Sequence, residues 1–173
     1  NFSREDLDAF AKISYERAIA AQDKNLFFEE MVPVTISSGK NDSQIIKNDE
    51  EPSRVNFQKI PLLKPAFDKK GTITAANASK INDGASALML MRRDKANLLG
   101  LKPLVSINAQ ASAAHEPEWF TTTPLKAIAN VLKKANLSSE NIDLWEINEA
   151  FGPVVMTAIK EYKIDHDRVN VNG

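Results

Sequence analysis

An α/β fold is what this sequence predicts, and three observations carry the prediction. Helical and strand-like apolar patterns alternate from about residue 83 to the end. The run Ala85-Ser86-Ala87-Leu88-Met89-Leu90-Met91 has the length and continuity of a strand buried on both faces. Turn-forming residues, Asp83-Gly84 and Gly100 among them, separate the apolar stretches.

In chain order, Ser3 with Asp6 makes a helix start, and Leu7, Phe10, Ala11, Ser14, Ala18 and Ile19 recur at helical spacing to about Gln22. Residues 27–60 read as an irregular excursion. A strand-like Met31 to Ile36 is followed by a polar stretch from Ser37 to Glu51 that carries Gly39 and several Asn and Asp. Lys69-Lys70-Gly71 marks a turn before Thr72-Ile73-Thr74. After the apolar run, Arg92 to Leu99 reads as a short helix ending at Gly100, and Leu104 to Ala113 as a strand. Thr123 caps a further helix with Pro124 at its first position, and Leu125, Ile128, Ala129, Leu132 and Ala135 form its apolar stripe. Ile142 to Ile147 is a strand containing Trp145. The last helix follows Asn148-Glu149, turning Phe151, Val155, Ala158, Ile159 and Tyr162 inward, with Pro153 tolerable near its start. No internal repeat is evident.

With 43% hydrophobic and 26% charged residues in 173, the chain has the make-up of a globular protein and not of a disordered tail. Lysine and arginine number 22 against 23 for aspartate and glutamate, so a net charge of −1 gives no general attraction to nucleic acid or anionic membrane. Neither is an expected partner, and phosphate recognition must be local. No apolar run approaches the roughly 20 residues that cross a bilayer. The sequence has no cysteine, which excludes disulfides, thiolate metal sites and a cysteine nucleophile within these residues. The chain begins at Asn1 without a signal-peptide pattern, and Val169-Asn170-Val171-Asn172-Gly173 stops where a strand should meet a turn. It reads as an internal stretch of a longer protein.

Asn148-Glu149-Ala150-Phe151 lies where a strand gives way to a helix, the place where α/β folds tend to put ligands. Asn148 either aims its amide at a substrate or a held water, or caps the helix; spacing alone leaves both open. Gly71-Thr72-Ile73-Thr74-Ala75-Ala76-Asn77-Ala78-Ser79 is dense in small residues, which suits either close backbone approach to a ligand, with free carbonyls for an ion, or tight turn packing. Arg54 and Lys59 lie in the irregular stretch and can pair with phosphates, Arg54 through two parallel hydrogen bonds, although exposed basic residues are commonly just solvated. His115 lacks an identified partner and reads as structural; His166, in a charged stretch, reads as exposed. No metal-ligand cluster, glycine-rich phosphate loop or Ser-His-Asp set is found.

These segments in this order resemble the thiolase family, specifically its acetyl-CoA acetyltransferase branch, over essentially the whole chain. The resemblance is carried by Lys64-Pro65-Ala66-Phe67, by Gly71 to Ser79 with Asn82-Asp83-Gly84-Ala85, by Asn148-Glu149-Ala150-Phe151 and by Val169 to Gly173. It implies a layered αβαβα architecture of two similar halves, here a partial chain with an inserted loop domain. Residues 1–82 would be that coenzyme A-binding loop domain, 83–103 the end of the N-terminal half and 104–173 the start of the C-terminal half.

The resemblance also implies a chemistry. Two cysteines, both outside these residues, would carry the acyl group and shuttle a proton, and a histidine beyond Gly173 would share an oxyanion-binding role with a water held by Asn148. Arg54, Val55, Asn56 and Lys59 map to the nucleotide end of coenzyme A, and Ser79 to the pantetheine arm. Asn56 stands where the family has an aspartate, which removes a negative charge there. Ala75-Ala76 looks like the potassium-responsive mitochondrial type, with Tyr15, itself beside the substrate, and the carbonyls of Ala75, Ala76 and Ala78 as ligands; oxygen-only ligands suit a hard cation. Phe120 also resembles that type, whereas Thr121 replaces its proline. The implied activity is reversible condensation of two acetyl-CoA to acetoacetyl-CoA, with a coenzyme A thioester as substrate, no required cofactor and a place for a potassium ion, whether or not that ion activates. The other readings are a longer-chain 3-ketoacyl-CoA thiolase of fatty acid breakdown and a non-catalytic coenzyme A-binding or lipid-transfer relative. The expected partners are the rest of its own chain and further copies in a tetramer, and the expected setting is bacterial cytoplasm or mitochondrial matrix.

Overall fold

A computed structural model describes residues 2–37, 39 and 42–173. The chain forms two compact units, Asn1–Ser79 with Asp143–Gly173, and Lys80–Ile142.

The first unit is organised by helix α1 (Arg4–Asp23). Its start is the one the sequence predicts: the Ser3 hydroxyl accepts from the Asp6 backbone N–H (3.0 Å), and the Asp6 carboxylate accepts from the Ser3 N–H (2.9 Å). Two N–H groups that a helix end leaves without partners are thereby satisfied. Leu7, Phe10 and Ala11 are buried on the face that packs against the last helix, whose Val154, Val155 and Ala158 are buried in turn. Burial of a Leu, Phe or Val at this level contributes about 1.5–3 kcal/mol each. The helices approach closely at Gly152, where a Cβ would lie 3.3 Å from Phe10 Cδ1. Arg4 holds Asp8 through its Nε (2.9 Å) and donates from Nη2 to the Ile60 carbonyl (2.9 Å), which hangs the 3₁₀ segment Phe57–Leu62 from α1.

Strand β1 (Val34–Ser37) pairs antiparallel with β2 (Ser43–Ile46), in register Val34 with Ile46 and Ser37 with Ser43. The expected strand at 31–36 therefore begins later, after Pro33, which cannot donate to a ladder. Its partner comes from the polar stretch, where Ile45-Ile46 supplies β-branched residues. A one-turn helix α2 (Glu51–Arg54) follows. The expected strand at 142–147 is reduced to one parallel bridge, Trp145 with Val169, made by Trp145 N–H to Arg168 O (2.8 Å) and Asn170 N–H to Trp145 O (2.8 Å). Trp145 is buried and stacks on Tyr162 with centroids 6.2 Å apart.

The second unit carries α3 (Arg93–Leu98) and α4 (Thr123–Ala135). Gly100, at φ +66°, takes the left-handed turn that ends α3, as expected. A 3₁₀ turn, Pro117–Thr122, runs into α4, so Thr122 and not Thr123 is its cap residue; the Thr122 hydroxyl donates to Trp119 O (2.9 Å). Asn136 closes α4 at φ 56°. The strands expected at 85–91 and 104–113 form no ladder among the described residues, and Leu88, Met89, Leu90 and Val105 are exposed. A strand buried on both faces needs a neighbour at each edge and layers above and below. None of the described residues supplies them.

The last helix is α5 (Gly152–Tyr162), with Pro153 in its first turn, where its absent N–H would have had no partner anyway.

Candidate active site

Phe151 is the cap residue of α5, and no side chain caps that end. Asn148 lies three residues upstream and is exposed, so the capping reading fails. Its neighbours on both sides are fixed. The Asn170 side chain accepts from Ile147 N–H (2.8 Å) and donates to Ile147 O (2.8 Å) and to Glu149 Oε1 (2.8 Å). Ser14 Oγ, from α1, donates to Glu149 Oε2 (2.7 Å). Asn170 is buried and sits at φ 45°, a left-handed conformation that Asn tolerates better than most residues.

The far side of the loop is held by the small-residue segment. Ser79 N–H donates to Ala150 O (3.0 Å), Gly152 N–H donates to Asn77 O (2.8 Å), and Ala78 forms an antiparallel bridge with Phe151. That segment has its own scaffold: buried Asn77 accepts from Thr74 N–H (2.9 Å) and donates to Thr72 O (3.2 Å), while the Thr74 hydroxyl accepts from Ala76 N–H (3.2 Å). Buried polar groups here are paired, which explains both tight packing and a defined backbone. Among the described residues, the carbonyls of Ala75, Ala76 and Ala78 accept none of these bonds. Three hard oxygens thus fit a hard cation in type. Tyr15, the fourth expected oxygen ligand, is half-buried on α1 one residue after Ser14.

The expected nucleotide-end residues stay together on one stretch. Arg54 is exposed and pairs with Glu50 (2.7 Å), Val55 is half-buried, and Lys59 is exposed. Asn56 caps the 3₁₀ turn by accepting from Gln58 N–H (3.1 Å), so its side-chain oxygen already has a structural use. An exposed pair such as Arg54 with Glu50 is worth about 0.2–1 kcal/mol, little enough for a phosphate to displace. No described hydrogen bond joins this stretch to the 147–151 loop. Phe120 and Thr121 lie in the 3₁₀ turn of the second unit.

His166 is not fully exposed as the sequence reading has it: its ring packs on Phe10 with centroids 5.7 Å apart. Burial first, and then the charge of Arg17, push its pKa below the ordinary 6.5, outweighing Asp167, Glu149 and Asp165. The folded state therefore binds this proton less tightly than the unfolded state, so stability is complete above that ordinary value and is lost as pH falls below it. The urea midpoint is expected to drop between about pH 7.5 and pH 5.5, and His166→Gln to flatten the drop.

Sequence reasoning missed Ser14, Glu149 and Asn170 as a constellation. Comparison with known proteins sets these loops in context. The chain matches "Thiolase, N-terminal domain" over residues 1–94 and "Thiolase, C-terminal domain" over residues 101–173. It belongs to the thiolase family, and it has the thiolase α/β fold. Bovine (Bos taurus) "Acetyl-CoA acetyltransferase, mitochondrial" is 48% identical over 100% of this chain and 41% of its own length. The Bacillus anthracis acetyl-CoA acetyltransferase crystal structure is 38% identical, with a TM-score of 0.94 over 99% of this chain and 44% of that one. Ascaris suum Acat5 thiolase, solved in complex with coenzyme A, is 40% identical with a TM-score of 0.87, over 99% of this chain and 44% of that one. The chain thus spans less than half the length of these relatives.

Proposed function

We propose that this chain is part of an acetyl-CoA C-acetyltransferase, which condenses two acetyl-CoA to acetoacetyl-CoA and free coenzyme A and also runs in reverse. The observation that carries the reading is Asn148: an exposed residue, unused as a cap, on a loop whose backbone is clamped from both sides. Pre-set donors aimed at developing charge are the largest single source of rate enhancement in acyl transfer. Asn148 would hold a water that steadies the thioester oxyanion. The naming of relatives at 48% identity supports the same chemistry.

The chain holds no cysteine, so the nucleophile belongs to residues outside it. In the reaction a cysteine thiolate attacks one acetyl thioester and expels the coenzyme A thiolate. The second acetyl-CoA would give a methyl proton to the other cysteine outside this chain, and the resulting carbanion would attack the acyl-cysteine, forming the carbon–carbon bond and releasing the first cysteine as its thiolate. Arg54 and Lys59 would meet the phosphates of the carrier, with Val55 and Asn56 beside the nucleotide, and Ser79 would flank the neutral arm. Tyr15 would reach the substrate side and, with the carbonyls of Ala75, Ala76 and Ala78, would hold a potassium ion, whose charge favours the anionic substrate nearby. Residues 1–82 would act as the loop domain, 83–103 and 104–173 as parts of the two halves, and the whole protein would assemble as a tetramer.

The test is coenzyme A-dependent cleavage of acetoacetyl-CoA by the intact protein, with and without potassium, alongside a long-chain 3-ketoacyl-CoA. A preference for the short substrate is the expected result. Preference for the long one would reassign the protein to fatty acid breakdown, and coenzyme A binding without cleavage would leave a carrier-binding relative.

A further inference from the structure

We infer that Asn170 is the positioning residue for Asn148, acting through Ile147 and Glu149. This rests on the oxyanion role proposed for Asn148. One carboxamide, from a segment 22 residues away by number, takes both backbone groups of the residue before Asn148 and the side chain of the residue after it, each at 2.8 Å. It thereby acts like an extra strand rung at a point where the loop has no ladder of its own. Its own backbone is pinned in the bridge to Trp145 and by Arg17, which donates from Nη1 to Val169 O (2.7 Å). Ser14 closes the set from α1, leaving Glu149 with a partner on each oxygen.

Nothing in this arrangement needs to touch substrate. Its effect is on where the Asn148 amide stands, and a displacement of about 1 Å at such a group can cost about 10²-fold in rate.

The donor pattern suggests a specific variant. Asn170→Asp keeps the size, the tolerance of left-handed φ and the oxygen facing Ile147 N–H, but turns a donor into an acceptor against Ile147 O and Glu149 Oε1. Adding Glu149→Gln reverses that one mismatch, because an amide at position 149 can donate to the new carboxylate at position 170 and still accept from Ser14. In the intact protein, kcat for acetoacetyl-CoA cleavage by folded Asn170→Asp is expected to fall about 10-fold or more with KM for coenzyme A within about 3-fold. The double variant should recover part of the loss, since the carboxylate at position 170 still faces Ile147 O, and the single variant should also regain rate, relative to wild type, at lower pH, as that carboxylate takes up a proton and donates again.

An active wild type with an unaffected kcat in folded Asn170→Asp, or a loss that the double variant does not relieve, would overturn the assignment. A wild type unable to cleave acetoacetyl-CoA instead sinks the underlying activity, and this role with it. Should Asn170→Asp fail to fold, Ser14→Ala reads the same clamp from its other end. A kcat loss of about 3-fold or more at unchanged KM supports the role, and none refutes it.

Discussion

Asn148→Ala in the intact protein is expected to lower kcat for acetoacetyl-CoA cleavage by about 10²–10³-fold, the usual consequence of deleting one oxyanion-stabilising donor. Asn148 is exposed and does not cap α5, so truncating it removes no described bond of the fold. Its effect on stability should lie within about 0.5 kcal/mol, as for surface substitutions generally. The affinity for coenzyme A should change little, because Arg54 and Lys59 lie on a separate stretch with no described hydrogen bond to this loop. A large rate loss, intact stability and intact carrier binding are therefore expected together. Steady-state kinetics with a denaturation curve on the same preparation would decide it, and an unchanged kcat would remove the role given to Asn148.

What is legible in the sequence is local. Ser3 and Asp6 announce the start of α1 because a capping box is written within four residues, and Gly100 announces the end of α3 because a left-handed turn favours glycine. Ser43 to Ile46 reads as loop because its Asn- and Asp-rich surroundings outweigh two adjacent isoleucines, and the pairing with Val34 to Ser37 that makes it a strand is not visible locally. The stretches 85–91 and 104–113 carry strand-like apolar patterns, but pairing belongs to neighbours, and a run of residues cannot state who those are. The candidate site divides in the same way. Asn148 and the small-residue segment stand out as motifs, whereas Ser14 and Glu149 are 135 residues apart and meet only because α1 lies against the last helix. Two side chains with no common spacing leave no local signal. Asn170 is one letter of a family segment, and its function as a clamp is not readable there.

Arg17→Ala is expected to destabilise the protein by about 2–4 kcal/mol, through bonds to backbone and not through charge pairing. The guanidinium Nη1 donates to Val169 O (2.7 Å), His166 O (3.3 Å) and Asn170 O (3.4 Å), and Nη2 to His166 O (3.2 Å). Its described ion pair, to Asp167 at 3.1 Å, engages a carboxylate side chain that is 89% exposed. An exposed partner of that kind contributes at most about 1 kcal/mol, so the carbonyl bonds dominate. Asp167→Asn should accordingly change stability by less than about 0.5 kcal/mol. Arg17→Lys keeps the charge but loses the planar fork, and a single ammonium cannot serve carbonyls spread over 166–170; it should lose a large part of what alanine loses. Because Val169 and Asn170 are buried, the carbonyls stranded in Arg17→Ala have little water to turn to. The same loss frees the backbone that carries the Asn170 side chain, so kcat should fall alongside stability and remain low at temperatures where the variant is fully folded. Urea titrations of the three variants separate the explanations: equal losses in Arg17→Ala and Asp167→Asn would mean that charge pairing, and not the carbonyl cradle, holds residues 166–170 to α1.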